Sequence, residues 1–257
     1  MAEVRSMPGG ADLGAERDGD TVVRVARPWT PSVHRLLEHL AAKGFTGSPR
    51  PLGIEGSRER LTYLDGDVVG TGRPWPPFVH SDEALVGVAY WLRRYHEAVV
   101  DFVPPPEAVW REQREPWRPG LIIAHNDAAP YNCVWAGRDV VGFVDWDMAA
   151  PRSVADDVAW VAFSWVPLHT RPVVMAEGYR EFGRRLDRLR MFLDAYGWQG
   201  DSAEVLATLD RVLEQQIDIM HARAAAGDHT YERMLELGRH KDLAGARAEV
   251  RVVGADR

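Results

Sequence analysis

Apolar positions along this chain recur with two different periods, and the switches between them delimit its elements. Thr21–Val25 is a short β-branched run that predicts a strand. After Arg27-Pro28-Trp29, Val33, Leu36, Leu37 and Leu40 recur at helical spacing. A helix is therefore expected with Thr30 as N-cap, Pro31 at its first position and Gly44 as its stop. Pro49–Ile54 and Glu59–Leu64 read as two further strands around a Gly56-Ser57 turn. Asp65-Gly66-Asp67 breaks the pattern, and the proline-bearing stretch to His80 is a connector. Ser81 then caps a second helix with Asp82 and Glu83 in its first turn. Leu85, Val88, Leu92, Tyr95 and Val99 form its buried stripe, Arg93, Arg94 and Glu97 face outward, and Pro104-Pro105-Pro106 ends it.

The middle of the chain carries a different pattern. An apolar strand, Leu121–Ala124, runs into a polar loop holding His125, Asp127 and Asn132. A second apolar run, Cys133–Trp135, turns at Ala136–Asp139, and a third, Val140–Val144, delivers Asp145. Three polar side chains are thereby placed at strand ends. Everything beyond reads as helical: an apolar helix over Val158–Val166 preceded by Asp156 and Asp157, then helices over 177–196, 203–226 and from 230 onward. Val205, Leu209, Val212, Leu213 and Met220 mark the buried face of the third of these, Asp201-Ser202 caps it, and Gly227-Asp228 ends it. Glu214 and Asp218 either line a pocket for an amine-bearing molecule or sit on a solvated face.

Composition narrows the class. At 46% hydrophobic and 27% charged residues, the 257-residue chain suits an ordinary globular protein with one large domain or two modest lobes. The longest nearly apolar run, Val158–Leu168, is interrupted by Ser164 and Pro167 and is too short to span a bilayer. The first residues lack the apolar core of a signal peptide, so a cytoplasmic location is expected, with no membrane partner. A formal charge of −7 argues against nucleic acid as the main partner and is compatible with a cationic small molecule. The one cysteine, Cys133, sits in an apolar strand and reads as buried filler, which excludes an internal disulfide or a cysteine metal site. Lysine is scarce: of 31 basic residues only Lys43 and Lys241 are lysines. Any work that lysine does in a kinase falls here to arginine or is not done at all.

The polar residues of the central hairpin suit phosphoryl transfer, in which a protein supplies positioning and charge neutralisation more than covalent chemistry. Five positions separate Asp127 from Asn132, the spacing that joins base and metal-binding amide in one kinase loop, and Asp145 follows a hairpin later. Carboxylate and amide oxygens are suitable ligands for a hard cation such as magnesium. His125 would brace the loop rather than react.

On these residues, His125, Asp127, Asn132 and the Asp145-Trp146-Asp147 sequence, the chain resembles the aminoglycoside phosphotransferases and their small-molecule kinase relatives. The resemblance extends more loosely from about Thr21 onward. It implies an α+β, protein-kinase-like, two-lobed fold: a reduced β lobe over residues 1–64, a hinge and connector over 65–80, and a mainly helical lobe over 81–257. It implies ATP as phosphate donor, Mg²⁺ as cofactor, a small hydroxylated acceptor for which an aminoglycoside is the family default, Asp127 as catalytic base, and Asn132 and Asp145 as magnesium ligands. It also places a phosphate-binding cation on the first strand. Arg24 is the candidate and Arg27 the reserve. Glu38, the one acid within the first helix, either pairs with Arg24 or lies on an exposed face. Backbone groups near Tyr63 and Leu64 would bind adenine, and Asp147 and Asp157 are supporting residues, Asp157 either steadying the catalytic loop or simply capping its helix. Residues 1–20 are left without assigned structure; Pro8-Gly9-Gly10 with Gly14 is either a terminal tail or a turn over phosphates. An alternative remains: a catalytically weak kinase-fold protein that binds a toxin, an antibiotic or a protein partner without chemistry.

Overall fold

The computed structural model describes residues 5–6, 14–112 and 115–255. Pro8-Gly9-Gly10 lies outside the described residues. The chain forms two compact units, Met1–Gly72 with Gly87–Val154, and Arg73–Val86 with Ala155–Arg257. These units are drawn differently from the lobes expected from sequence, because the central hairpin groups with the strands that precede it.

The first unit contains β1 (Arg5–Ser6), β2 (Glu16–Asp18), β3 (Thr21–Val25), α1 (Thr30–Ala42), β4 (Pro51–Glu55), β5 (Arg58–Thr62) and β6 (Asp67–Val68). It continues with most of α2 (Asp82–Val99), then β7 (Ile122–Ala124), β8 (Cys133–Ala136), β9 (Asp139–Phe143) and β10 (Ala150–Arg152). A five-stranded antiparallel sheet runs in the order β1-β2-β3-β5-β4. The strands at 5–6 and 16–18 correct the reading of residues 1–20 as unassigned. They were invisible because a two- or three-residue strand is defined by the partner it pairs with.

Two further local readings are corrected. Thr30 does not cap α1; its hydroxyl accepts the Arg27 N–H at 2.8 Å, fixing the bend out of β3 instead. Asp67, expected to break structure, pairs with Trp135 as part of β6, so the three-stranded sheet is β6-β8-β9. Gly44 does stop α1, in the left-handed region at φ 73° that costs glycine least.

One backbone crossing pins the hairpin. The Gly47 carbonyl accepts the Phe143 N–H at 3.1 Å and the Trp91 indole N–H at 2.9 Å. A Cβ on Gly142 would overlap the Gly47 backbone, so glycine is required there for the two segments to approach. Around this crossing the rings of Trp91, Tyr95, Phe143 and Trp146 pack at centroid distances of 4.3–6.4 Å, and the Tyr95 hydroxyl donates to the Ile123 carbonyl of β7.

The second unit holds the residues of α3 (Val154–Trp165) from Ala155, α4 (Arg171–Ala176), α5 (Arg185–Tyr196), α6 (Ser202–Ala225), α7 (His229–Glu236) and α8 (Arg239–Ala255). The helix expected over 177–196 begins at Arg185, because Gly178 at φ 101° and the turn at Phe182–Arg184 interrupt it. The last predicted helix is two, separated at Gly238 with φ 76°. Val205, Leu209, Val212, Leu213 and Met220 are buried as the helical period predicts, and the Asp201 carboxylate caps α6 through the Glu204 N–H at 2.9 Å. Glu214 and Asp218 are exposed, and Glu214 pairs with Arg247 of α8 at 3.0 Å.

Candidate active site

The site is assembled by the register of one hairpin. Cys133 of β8 lies opposite Phe143 of β9, and the Val144 N–H donates to the Asn132 carbonyl at 3.0 Å. Asn132, the residue before Cys133, and Asp145, two residues past Phe143, are thereby brought to the same end of the hairpin. Asp145 adopts the left-handed conformation, φ 61° and ψ 67°, and starts the tight turn Trp146–Met148. Aspartate tolerates this region better than most residues, yet it remains a strained backbone of the kind that collects at functional positions.

His125 joins this end of the hairpin to the loop. The Asp127 N–H donates to its Nδ1 at 3.2 Å, so its proton sits on Nε2, which donates to the Val144 carbonyl at 3.1 Å. Its ring is buried against Trp146 at a centroid distance of 4.4 Å. This is a brace between the residue bearing the loop carboxylate and the residue preceding Asp145.

Asp127 itself accepts two hydrogen bonds, from the Tyr131 hydroxyl to Oδ1 at 2.5 Å and from the Asn132 amide to Oδ2 at 2.8 Å. Burial pushes its carboxyl up to about 7, and nearby Asp145 adds to the shift, while Tyr131, Asn132 and Arg111 oppose it. A carboxylate poised near neutrality is suited to taking a proton from a hydroxyl. Asn132 spends its amide nitrogen on the side chain and backbone of Asp127, so Oδ1 is the atom it could offer to a cation.

Arg24 sits among acids. Nε donates to Glu59 at 2.8 Å, Nη2 to Asp147 at 2.5 Å, and Nη1 lies 3.5 Å from Asp145. Burial works against its charge, but Asp147, Glu59 and Asp145 outweigh it and hold the guanidinium above its ordinary pKa. Glu59, fully buried, also meets His34 Nε2 of α1 at 2.8 Å. The glutamate that pairs with Arg24 is therefore Glu59 and not Glu38, which lies exposed on α1 beside Arg35 at 3.3 Å. Arg27 is exposed at the exit of β3.

Of the other predicted positions, Tyr63 follows β5, where its N–H is donated to the Asp20 carbonyl at 2.8 Å and its ring stacks under Arg17 at 3.6 Å. That N–H is thus committed within the sheet, leaving the Tyr63 carbonyl and Leu64 for any backbone contact to a base. Asp157 is buried in the first turn of α3 within the second unit, and the neighbouring Asp156 pairs with Arg211 at 2.5 Å. Cys133 is buried, which pushes its thiol pKa well up and leaves it inert.

Sequence reasoning missed Glu59, Tyr131 and Asn126. Asn126, at φ 62°, donates its amide to the carbonyls of Met148 at 3.0 Å and Ala150 at 3.4 Å, tying the loop to β10. An asparagine between His125 and Asp127 was a usable signal, since it accepts positive φ. Glu59 was also within reach, because pairing the two predicted strands places it directly across from Arg24.

Residues 74–192 match the model of the phosphotransferase enzyme family. The trifolitoxin immunity protein of Rhizobium leguminosarum bv. trifolii is 32% identical over 196 residues, covering 74% of this chain and 73% of that protein. Among solved structures, an aminoglycoside 2′-phosphotransferase in complex with GDP is similar with a TM-score of 0.64, covering 98% of this chain and 93% of that one at 15% identity. A choline/ethanolamine kinase family protein from Mesorhizobium loti gives 0.58, covering 97% and 92% at 15% identity. At such identities the structures show the fold, which is α+β and protein-kinase-like, with a small sheet lobe and a mainly helical remainder. The loop from His125 to Asp145 falls inside the matched family region, and with the relative that spans most of both chains it establishes that this chain belongs to the phosphotransferase enzyme family.

Proposed function

We propose that the chain transfers the γ-phosphate of ATP to a hydroxyl of a small molecule. The observation that carries this reading is the joining of Asp127, Asn132 and Asp145 at one hairpin end, with the Asp127 carboxyl raised to about 7. Asp127 takes the proton as the acceptor oxygen bonds to phosphorus; the bond from that phosphorus to the β–γ bridging oxygen breaks, and ADP leaves. Asn132 Oδ1 and the Asp145 carboxylate, whose side chain is 35% exposed, are oxygen donors that fit magnesium, which is commonly held by one or two carboxylates together with substrate phosphates and waters. When bound, magnesium would neutralise charge developing on the phosphates. Arg24 is the cation proposed to steady those phosphates, and the backbone near Tyr63 and Leu64 is proposed for the base. By family resemblance the acceptor is aminoglycoside-like, and the overall charge of −7 suits a cationic one.

Thermal unfolding with and without Mg-ATP tests this. A nucleotide at 100 times its Kd stabilises by roughly 2.7 kcal/mol. A magnesium-dependent rise in Tm is expected, lost in Asp145→Asn; no rise at millimolar Mg-ATP would sink the reading.

The similarity to an immunity protein and the enclosure of Arg24 by three carboxylates favour one second reading: a kinase-fold protein that binds a toxin, antibiotic or protein partner without transfer. The same titration separates the two.

A further inference from the structure

The second unit contains a buried cation with too few acceptors. Arg188 of α5 is 1% exposed. Its Nη1 donates to Asp82 Oδ1 at 2.7 Å, while Nε and Nη2 have no acceptor among the described residues. These two nitrogens form one edge of the guanidinium plane, the edge that grips a carboxylate or phosphate with two parallel hydrogen bonds. Asp82 does not satisfy the charge alone, since its other oxygen is taken by Arg184 at 2.8 Å, and Arg184 has Glu181 besides, at 3.0 Å. Arg184 thus has two carboxylate partners and Arg188 half of one.

The surroundings add a second unfilled donor. Tyr179, 5% exposed, has its ring 5.2 Å from the Arg188 guanidinium carbon, and its hydroxyl likewise has no partner among the described residues. His80 stands edge-on to Tyr179 at 5.5 Å and donates through Nε2 to the Glu177 carbonyl at 3.0 Å. Burial, together with Arg188, keeps the imidazole below its ordinary pKa and so neutral, so it adds no competing cation. A buried guanidinium with one bonded nitrogen out of three is costly to hold unless another acceptor reaches it.

We infer that Arg188 and Tyr179 form a receptor for one small oxyanion, a carboxylate or phosphate group, entering beside Asp82 and Arg184. Those two side chains are 36% and 39% exposed and form the outer edge of the cluster. The Nε and Nη2 edge would hold two oxygens of the anion, and Tyr179 would donate to one of them. None of the residues in this cluster, all within Arg73–Val86 and Ala155–Arg257, is given a role in the proposed phosphotransfer.

The test is calorimetric titration and thermal unfolding of the full chain with sodium phosphate and with sodium acetate, at ionic strength held constant with sodium chloride. A saturable rise in Tm with one of the two anions and none with chloride is expected, and the anion that binds identifies the source. The response should vanish in Arg188→Met, weaken about tenfold in Tyr179→Phe, in line with loss of one hydrogen bond to a charged group, and persist in Arg24→Ala, which separates it from phosphate held at the nucleotide site. No saturable response to either anion, or a response retained in Arg188→Met, overturns the inference. Should Arg188→Met fail to fold, an unchanged affinity in Tyr179→Phe overturns it instead.

Discussion

At the scale of single residues, the proposed reaction divides its chemistry between Asp127 and Arg24. Asp127 is held by two donors, and its carboxyl, raised to about 7, is near the balance point at which a carboxylate can take a proton at neutral pH. Asp127→Asn keeps the shape and removes the base, so turnover should fall by about 10²–10⁴-fold with Mg-ATP binding nearly unchanged; single-turnover kinetics beside nucleotide titration would check the split, and intact turnover would remove Asp127 from the mechanism. Arg24→Ala is expected to raise the KM for ATP more than that for the acceptor. It should also destabilise the fold, because Glu59 stays buried with only His34 beside it, and unpairing a buried charge costs about 3–5 kcal/mol. Arg24→Lys should recover part of both effects, and equal KM values in wild type and Arg24→Ala would move the phosphate role elsewhere. The three motif residues were legible in the sequence because the spacing from Asp127 to Asn132 is local. The Arg24 partner was not read, since Glu59 is 35 positions away and becomes its neighbour only through strand register.

At the scale of elements, the hairpin β8–β9 is a positioning device, and its precision depends on Gly142. Phe143 must donate to the Gly47 carbonyl while the two backbones cross, and any Cβ at 142 meets backbone, not a side chain that could turn away. Gly142→Ala should therefore lower stability by about 1–3 kcal/mol, as overpacking of a tight core does. It should also reduce turnover, because Asn132 and Asp145 ride on the strands that would shift; urea unfolding and kcat together check this, and a variant with wild-type midpoint would show that the crossing can relax. Strands with a clear apolar run, Thr21–Val25 and the hairpin, were legible, as were helices bounded by Ser81 or by Asp201. What escaped was of two kinds. The two- and three-residue strands β1, β2, β6 and β10 exist through their partners; α4 lies ahead of the helix expected over 177–196, and within that range Gly178 and the turn at Phe182–Arg184 delay the helix to Arg185.

At the scale of the whole molecule, stability should respond to acid through a histidine remote in sequence from the motif. His169 follows α3, stacks on Phe163 at a centroid distance of 4.5 Å, and its Nδ1 has no hydrogen-bond partner among the described residues. Burial depresses its pKa from 6.5 to about 4; Asp242 pulls it up, and Arg73 and Arg239 pull it down further. The unfolded chain therefore binds a proton at this position between about pH 6.5 and 4 that the folded chain refuses. The stability contributed by neutral His169 is complete above pH 6.5 and drains away as pH falls toward 4. Asp127 has the opposite sign, since its raised carboxyl holds a proton in the folded state that the unfolded one has released, so the net profile of the wild type mixes both. Subtracting the profile of His169→Gln isolates the histidine: the wild type should lose more stability than the variant between pH 6.5 and 4, and their difference should be flat above that window. Parallel profiles across the window would mean that the imidazole takes up its proton in place, its charge offset by the Asp242 carboxylate.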